Sequence, residues 1–191
     1  LITRSDPHQP KHRGLTYFIL DMEAEGVEVR QIRQISGASN FNEVFFSDVR
    51  IPDSDRLGEV NEGWRGAITT LMNERATIGA RGLGGFTPET LVRLAMEVDT
   101  ARGKAIEDSA VRNKIADFYV KAAGLKYTSY RTLTALSKGA VPGPENSIGK
   151  MVGGPLRQQM AAFGMELEGM AGALIDPAYD CQQTYLGAPG G

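Results

Sequence analysis

Cysteine is nearly absent: Cys181 is the only one in 191 residues. No disulfide can form within the chain, and a reducing compartment is the expected setting. No histidine lies close to Cys181 in sequence, so it reads as a passive thiol. Neither sign of charge dominates, with 21 Lys and Arg against 23 Asp and Glu and a formal charge of −2. That balance gives no basic surface for nucleic acid. No apolar run approaches the ~18 residues of a membrane span. Only His8 and His12 could offer imidazole nitrogen. They sit in a Pro-containing loop without acidic or Cys partners at ligand spacing, so no metal site is expected. A Gly-x-Gly-x-x-Gly turn after a strand, a Walker-type loop and internal repeats are all missing.

What is present divides the chain in two. Leu1-Ile2-Thr3-Arg4, Leu15 to Leu20, Val27 to Ile32 and Phe41 to Pro52 are β-branched, aromatic or alternating runs. They predict strands of an antiparallel sheet or barrel over residues 1–60. After Gly63 the period becomes helical. Trp64, Ala67, Ile68, Leu71 and Met72 fall on one helix, with Asn61 or Glu62 able to cap it, running to about Ile78. Thr87-Pro88-Glu89 is a second helix start. A long helix is expected from about Ser109 to Ser137, with Val111, Ile115, Phe118, Tyr119, Ala122, Leu125 and Leu133 inward. Another is expected from about Glu145 to Gly169, carrying Ile148, Met151, Val152, Leu156, Met160 and Phe163. Met151, Met160, Met165 and Met170 read as core packing. The fold class is therefore α+β and multi-domain: a partial antiparallel β-barrel or sandwich at 1–60, then an antiparallel helical bundle at 61–191. At roughly 100–200 residues per domain, the length suits one full domain or two small ones.

Phe41-Asn42-Glu43-Val44-Phe45-Phe46-Ser47-Asp48-Val49-Arg50-Ile51-Pro52, followed by Leu57-Gly58-Glu59-Val60-Asn61-Glu62-Gly63-Trp64, resembles the acyl-CoA dehydrogenases. In that family this stretch is the junction between the middle β-domain and the C-terminal helical domain. Leu71-Met72-Asn73-Glu74-Arg75-Ala76-Thr77-Ile78-Gly79 resembles the first long helix of that domain, and Asn146-Ser147-Ile148-Gly149-Lys150-Met151 its Ser-x-x-Lys helix start. The resemblance spans essentially the whole chain. It implies that residues 1–60 are the second part of the β-domain, and 61–191 the helical domain without its last helix. The ends, Leu1 without Met and Gly187-Ala188-Pro189-Gly190-Gly191, are then expected to be interior to a longer subunit.

The family oxidises an acyl-CoA thioester to the trans-2-enoyl-CoA. A carboxylate takes the α-proton, and FAD accepts the β-hydride and passes electrons to an electron-transfer flavoprotein or similar acceptor. Members are homo- or hetero-tetramers. The resemblance implies Glu74 as the base, with Asn73 and Arg75 shaping the acyl-CoA site; the family's alternative base lies in a loop after Gly191. Glu74 stands three positions from Leu71 and four from Ile78, bordering the expected buried face, and an acid there would lie beside a dry pocket. Arg102, Gly103 and Gly169 are the implied FAD contacts. Two departures stand out. Asp99 occupies the place of a pyrophosphate-binding Arg, where an anion repels the cofactor. Glu166-Leu167-Glu168-Gly169-Met170 keeps the Gly but not the Gln of an adenine-side element. These leave open a second reading, a non-catalytic structural subunit of a heteromeric dehydrogenase. An oxidase-like relative using O₂ is a third. Gly82-Leu83-Gly84-Gly85 fits either a flexible helix connection or room for a bulky, polycyclic acyl group.

Overall fold

The computed structural model of the chain describes residues 1–80, 85–140, 143, 146–174 and 179–190. They fall into two compact units, Leu1–Glu74 and Arg75–Gly191.

The first unit holds β1 (Ile2–Arg4), β2 (Leu15–Phe18), β3 (Val27–Ile32), β4 (Phe41–Phe46) and β5 (Arg56–Leu57). Strands β1, β2 and β5 make one antiparallel sheet in that order, with Ile2 opposite Tyr17 and Tyr17 opposite Leu57. A separate hairpin pairs β3 with β4, from Val27 opposite Phe46 to Ile32 opposite Phe41. Period-two alternation sets β3 residue for residue. By contrast β4 ends at Phe46, short of the run expected to Pro52. Asp48 takes a left-handed conformation with φ 53°, which turns the chain out of the ladder. Helix α1 (Gly63–Ala80) starts in this unit, and its Ala67 is buried while Ile68, Leu71 and Met72 are exposed.

The second unit is helical: α2 (Pro88–Glu97), the short hairpin β6 (Asp99–Thr100) and β7 (Gly103–Lys104), then α3 (Ser109–Ser137), α4 (Asn146–Glu168) and α5 (Cys181–Gly187). Thr87 and Pro88 start α2 as their chemistry dictates: the Thr87 N–H reaches Thr90 Oγ1 at 3.4 Å, and Pro88 takes the first helical position. Asp108 starts α3 by accepting the Ala110 N–H at 2.8 Å. Gly139, at φ 75°, lies just beyond its end. Leu91, Leu94 and Ala95 of α2, Ile115 and Phe118 of α3, Leu156, Met160 and Ala161 of α4, and Cys181 of α5 form one core. Phe118 and Phe163 meet there with ring centroids 5.9 Å apart.

Several expected core positions lie at the surface instead. Tyr119 and Leu133 on α3, and Ile148, Met151 and Val152 on α4, are exposed, as is Met170. The core takes only the arc of α3 through Ile115, Phe118, Ala122 and Leu125. Of the methionine stripe, Met160 is buried and Met165 packs against the core. Helix α5 was not apparent in the sequence; it follows Asp180, which is left-handed at φ 53°.

Candidate active site

At the start of α1 the sheet and the helix are joined by a ring of three hydrogen bonds. The Asn61 N–H donates to Thr16 Oγ1 at 2.9 Å, Thr16 and Ser5 share a hydroxyl contact of 2.5 Å, and Ser5 Oγ donates to Asn61 Oδ1 at 3.0 Å. Each hydroxyl carries one proton. With the Ser5 proton directed at Asn61 Oδ1, or at Gly14 O 3.5 Å away, the Thr16 hydroxyl donates to Ser5. Thr16 is 1% exposed, and Asn61 tolerates its left-handed φ of 70° because its short amide side chain suits that region. Gly63 is required next: a Cβ there would stand 2.6 Å from the Thr16 carbonyl carbon and the Tyr17 nitrogen. One turn on, a Cβ at Gly66 would stand 2.8 Å from the Tyr17 ring. His12 stacks on Trp64 with centroids 5.3 Å apart. A concavity of about 370 Å³ lies beside these turns, lined by Tyr17, Leu57, Arg65, Gly66, Thr69 and Thr70 among others.

Three turns further, Asn73 and Glu74 are exposed. The Asn73 amide donates to Thr69 O at 3.0 Å on its own helix. The side chain of Arg75 lies outside the described residues. Consecutive residues on a helix are about 100° apart, so Asn73 and Glu74 point in different directions rather than into one cleft. The burial expected for Glu74 is not found: the sheet covers only the first turns of α1, and Leu71, one turn before it, is 48% exposed.

Of the residues implied for the cofactor, Arg102 and Gly103 share one hairpin, and Arg102 lines a concavity with Leu167 at the end of α4. Asp99, Thr100, Gly103 and Lys104 form the β6–β7 hairpin with Ala101-Arg102 at its tip. Gly103, at φ 111°, makes the turn. Thr100 Oγ1 accepts the Arg102 N–H at 3.2 Å and donates to Gly103 O at 2.8 Å. A concavity of about 450 Å³ is lined by Thr100, Arg102, Lys104, Glu107 and, from the end of α4, Leu167 among others. Gly169 follows two residues later, exposed and left-handed at φ 61°. Asp99, expected to repel an anion, is paired with Lys104 at 2.7 Å, and Lys104 also donates to Glu97 O at 2.9 Å. Its charge is thus answered locally. Arg102 makes no ion pair among the described residues, which leaves its guanidinium available. Two carboxylates line that concavity, Glu107 and Asp108, the latter accepting the Ala110 N–H at the start of α3.

The ring around Thr16 was not anticipated. Its signal was a polar residue inside the apolar run Leu15 to Leu20, followed by an Asn just before a helix. Among the described residues no three His, Cys, Asp or Glu side chains are grouped to hold a metal. No helix there is long and apolar enough to cross a membrane.

Comparison with known proteins fits this layout. The family model for the acyl-CoA dehydrogenase C-terminal domain matches residues 61–190. Acyl-CoA dehydrogenase FadE34 of Mycobacterium tuberculosis is 35% identical over 186 residues, which are 96% of this chain and 25% of that protein. Among solved structures, the Tcur3481-Tcur3483 steroid ACAD superposes with a TM-score of 0.82 at 25% identity, covering 98% of this chain and 49% of that one. The ChsE4-ChsE5 complex of M. tuberculosis gives 0.77 at 25% identity, covering 98% and 50%. The chain therefore spans from a quarter to half the length of these relatives. Since the family model covers well over half of its residues, the chain belongs to the acyl-CoA dehydrogenase family.

Proposed function

We propose that the chain is part of a flavin-dependent dehydrogenase that oxidises an acyl-CoA thioester to the trans-2-enoyl-CoA, with Glu74 as the base. The observation that carries this reading is the family match over 61–190, within which α1 presents Glu74. The Glu74 carboxylate would take the α-proton, and Asn73 and Arg75, its neighbours in sequence, would help shape the acyl-CoA site. Proton abstraction is most efficient out of water. The reading therefore requires that the exposed side of α1, with Ile68, Leu71 and Met72, be covered in the working enzyme. When bound, FAD would accept the hydride leaving the β-carbon. Arg102 would hold its pyrophosphate, with Gly103 shaping the hairpin turn and the open backbone at Gly169 allowing close approach. Electrons would pass to an electron-transfer flavoprotein or similar acceptor, within a homo- or hetero-tetramer in a bacterial cytoplasm.

In the purified enzyme, Glu74→Gln should retain bound FAD and lose more than about a thousandfold in turnover. Turnover close to wild type would assign the base to another residue.

The Tcur3481-Tcur3483 protein is described as a steroid enzyme, so a bulky polycyclic acyl-CoA is the first substrate class to test. Gly82 to Gly84, read from sequence either as a helix connection or as room for such a group, lie outside the described residues. A substrate panel showing preference for short straight chains would remove that part of the proposal.

A second reading, a structural subunit in a heteromeric assembly, draws support from the ChsE4-ChsE5 complex and from the glutamates flanking Leu167. It loses one support, because Asp99 is neutralised by Lys104. Co-purification with a second dehydrogenase-like chain, together with absent flavin when expressed alone, would favour it. A flavin-loaded active homomer would exclude it.

A further inference from the structure

We infer that Thr16 is a positioning residue for the reaction: through its ring with Ser5 and Asn61 it sets the direction in which α1 leaves the sheet, and so where Glu74 stands. This rests on the reading of Glu74 as the base.

The observations are local to one unit. Thr16 is 1% exposed and is the only member of the ring on a sheet strand. It accepts the Asn61 N–H at 2.9 Å, two residues before α1 begins at Gly63. Ser5 meets Thr16 at 2.5 Å and Asn61 Oδ1 at 3.0 Å, so the link between sheet and helix has two arms rather than one. Leu15 and Glu62 also form an isolated parallel bridge. At Gly63 the two backbones approach so closely that no side chain fits between them. Past the first turns, the described part of α1 has little cover: Ile68, Leu71 and Met72 are all exposed.

Among the described residues α1 is clamped only at its start, so a tilt there is carried along the helix. Glu74 lies about 16 Å from the clamp at ~1.5 Å rise per residue. A tilt of only about 4° there displaces the carboxylate by about 1 Å, and a misplacement of ~1 Å can cost ~100-fold in rate. A hydroxyl far from the substrate thereby acts on the chemical step without touching it.

The test uses the purified, flavin-loaded dehydrogenase carrying these residues. Thr16→Val keeps the shape and removes both hydrogen bonds; Thr16→Ser keeps both. Thr16→Val should lower kcat about tenfold with KM and FAD content within twofold of wild type. Amide exchange at Asn61 and the first turn of α1 should quicken. Thr16→Ser should restore kcat to within twofold. Should Thr16→Val fail to fold, Ser5→Ala opens the ring without emptying a buried site. A threefold loss of kcat in that variant supports the proposal, and unchanged kcat overturns it. Wild-type kcat in Thr16→Val, or a Thr16→Ser variant no better than Thr16→Val, also overturns it. Glu74→Gln is measured alongside. If that variant still turns over, the assignment of the base fails and takes the proposal with it; an inactive Glu74→Gln beside an unimpaired Thr16→Val overturns the positioning role alone.

Discussion

Gly164 lets α4 and α5 meet at contact distance. A Cβ added there would lie 2.6 Å from Cys181 Sγ and 3.5 Å from Leu91 Cδ2, and Cys181 is itself 2% exposed in the core. Gly164→Ala should therefore destabilise the fold by about 1–3 kcal/mol in urea denaturation, since a packed core absorbs an extra methyl only by shifting. Cys181→Ala removes the atom in the way. The double variant should then be more stable than the sum of the two single effects allows, by ~0.5 kcal/mol or more; strict additivity would show that the contact is not what limits the site. Cys181, expected from sequence to be a passive thiol, packs in this core. Other single residues were less legible. Glu74 was expected against a buried face and is exposed, because residue spacing reports which side of a helix is apolar and not whether anything covers it. Asp99 was read as a charge facing an anion site. A two-residue turn brings Lys104 back to it, and spacing of that kind is invisible until the hairpin is drawn.

Helices and strands were legible where several local signals agreed. Thr87, Pro88 and the Leu91–Leu94–Ala95 stripe defined α2, and alternation defined β3. Elements that depend on a left-handed residue were not: β4 is cut short before Asp48, the β6–β7 turn rests on Gly103, and α5 begins after Asp180. Of the seven residues expected on the inward face of α3, Tyr119 and Leu133 proved exposed, since a long helix bearing two apolar arcs does not say which one meets the core. At the start of α2, Glu89 supplies an electrostatic test of its element. Its carboxyl is held below its ordinary value of 4.5, first by a hydrogen bond from the Thr87 side chain and then by its own backbone N–H. The folded state thus favours the ionised form. The resulting stability is complete above the ordinary value and fades as pH falls through the depressed one. Glu89 is exposed, so screening limits the effect to no more than about 0.5 kcal/mol. Glu89→Gln should lower stability by that amount at pH 7 and converge with wild type in strong acid. A constant difference across the pH range would sink the assignment.

Across the whole molecule, apolar surface is distributed in a way that a self-sufficient pair of units would not choose. The β3–β4 hairpin leaves Val29, Ile32, Phe41, Val44, Phe45 and Phe46 all at least 36% exposed, so neither of its faces is covered. Two-stranded hairpins are at best marginal without a packing partner. This one has only modest internal help: Arg30 lies 4.6 Å above the Phe45 ring and pairs with Glu28 at 2.7 Å, both solvated contacts of small worth. On α3, Tyr119, Val120, Tyr127, Tyr130 and Leu133 are exposed as well. Patches of this kind drive association in water, and the net charge of −2 opposes it weakly. The 191-residue chain, prepared by itself, should therefore associate in a concentration-dependent way by light scattering and bind a hydrophobic fluorescent dye. Placing Lys at Phe41 and Phe45 should reduce both signals if the hairpin is the main contact, whereas Glu at Val120 and Tyr127 should do so if α3 is. A monodisperse monomer with no dye signal at high concentration would mean that both surfaces are covered in solution by rearrangement within the chain itself. In that case the covering of α1 that Glu74 requires could also come from within these residues.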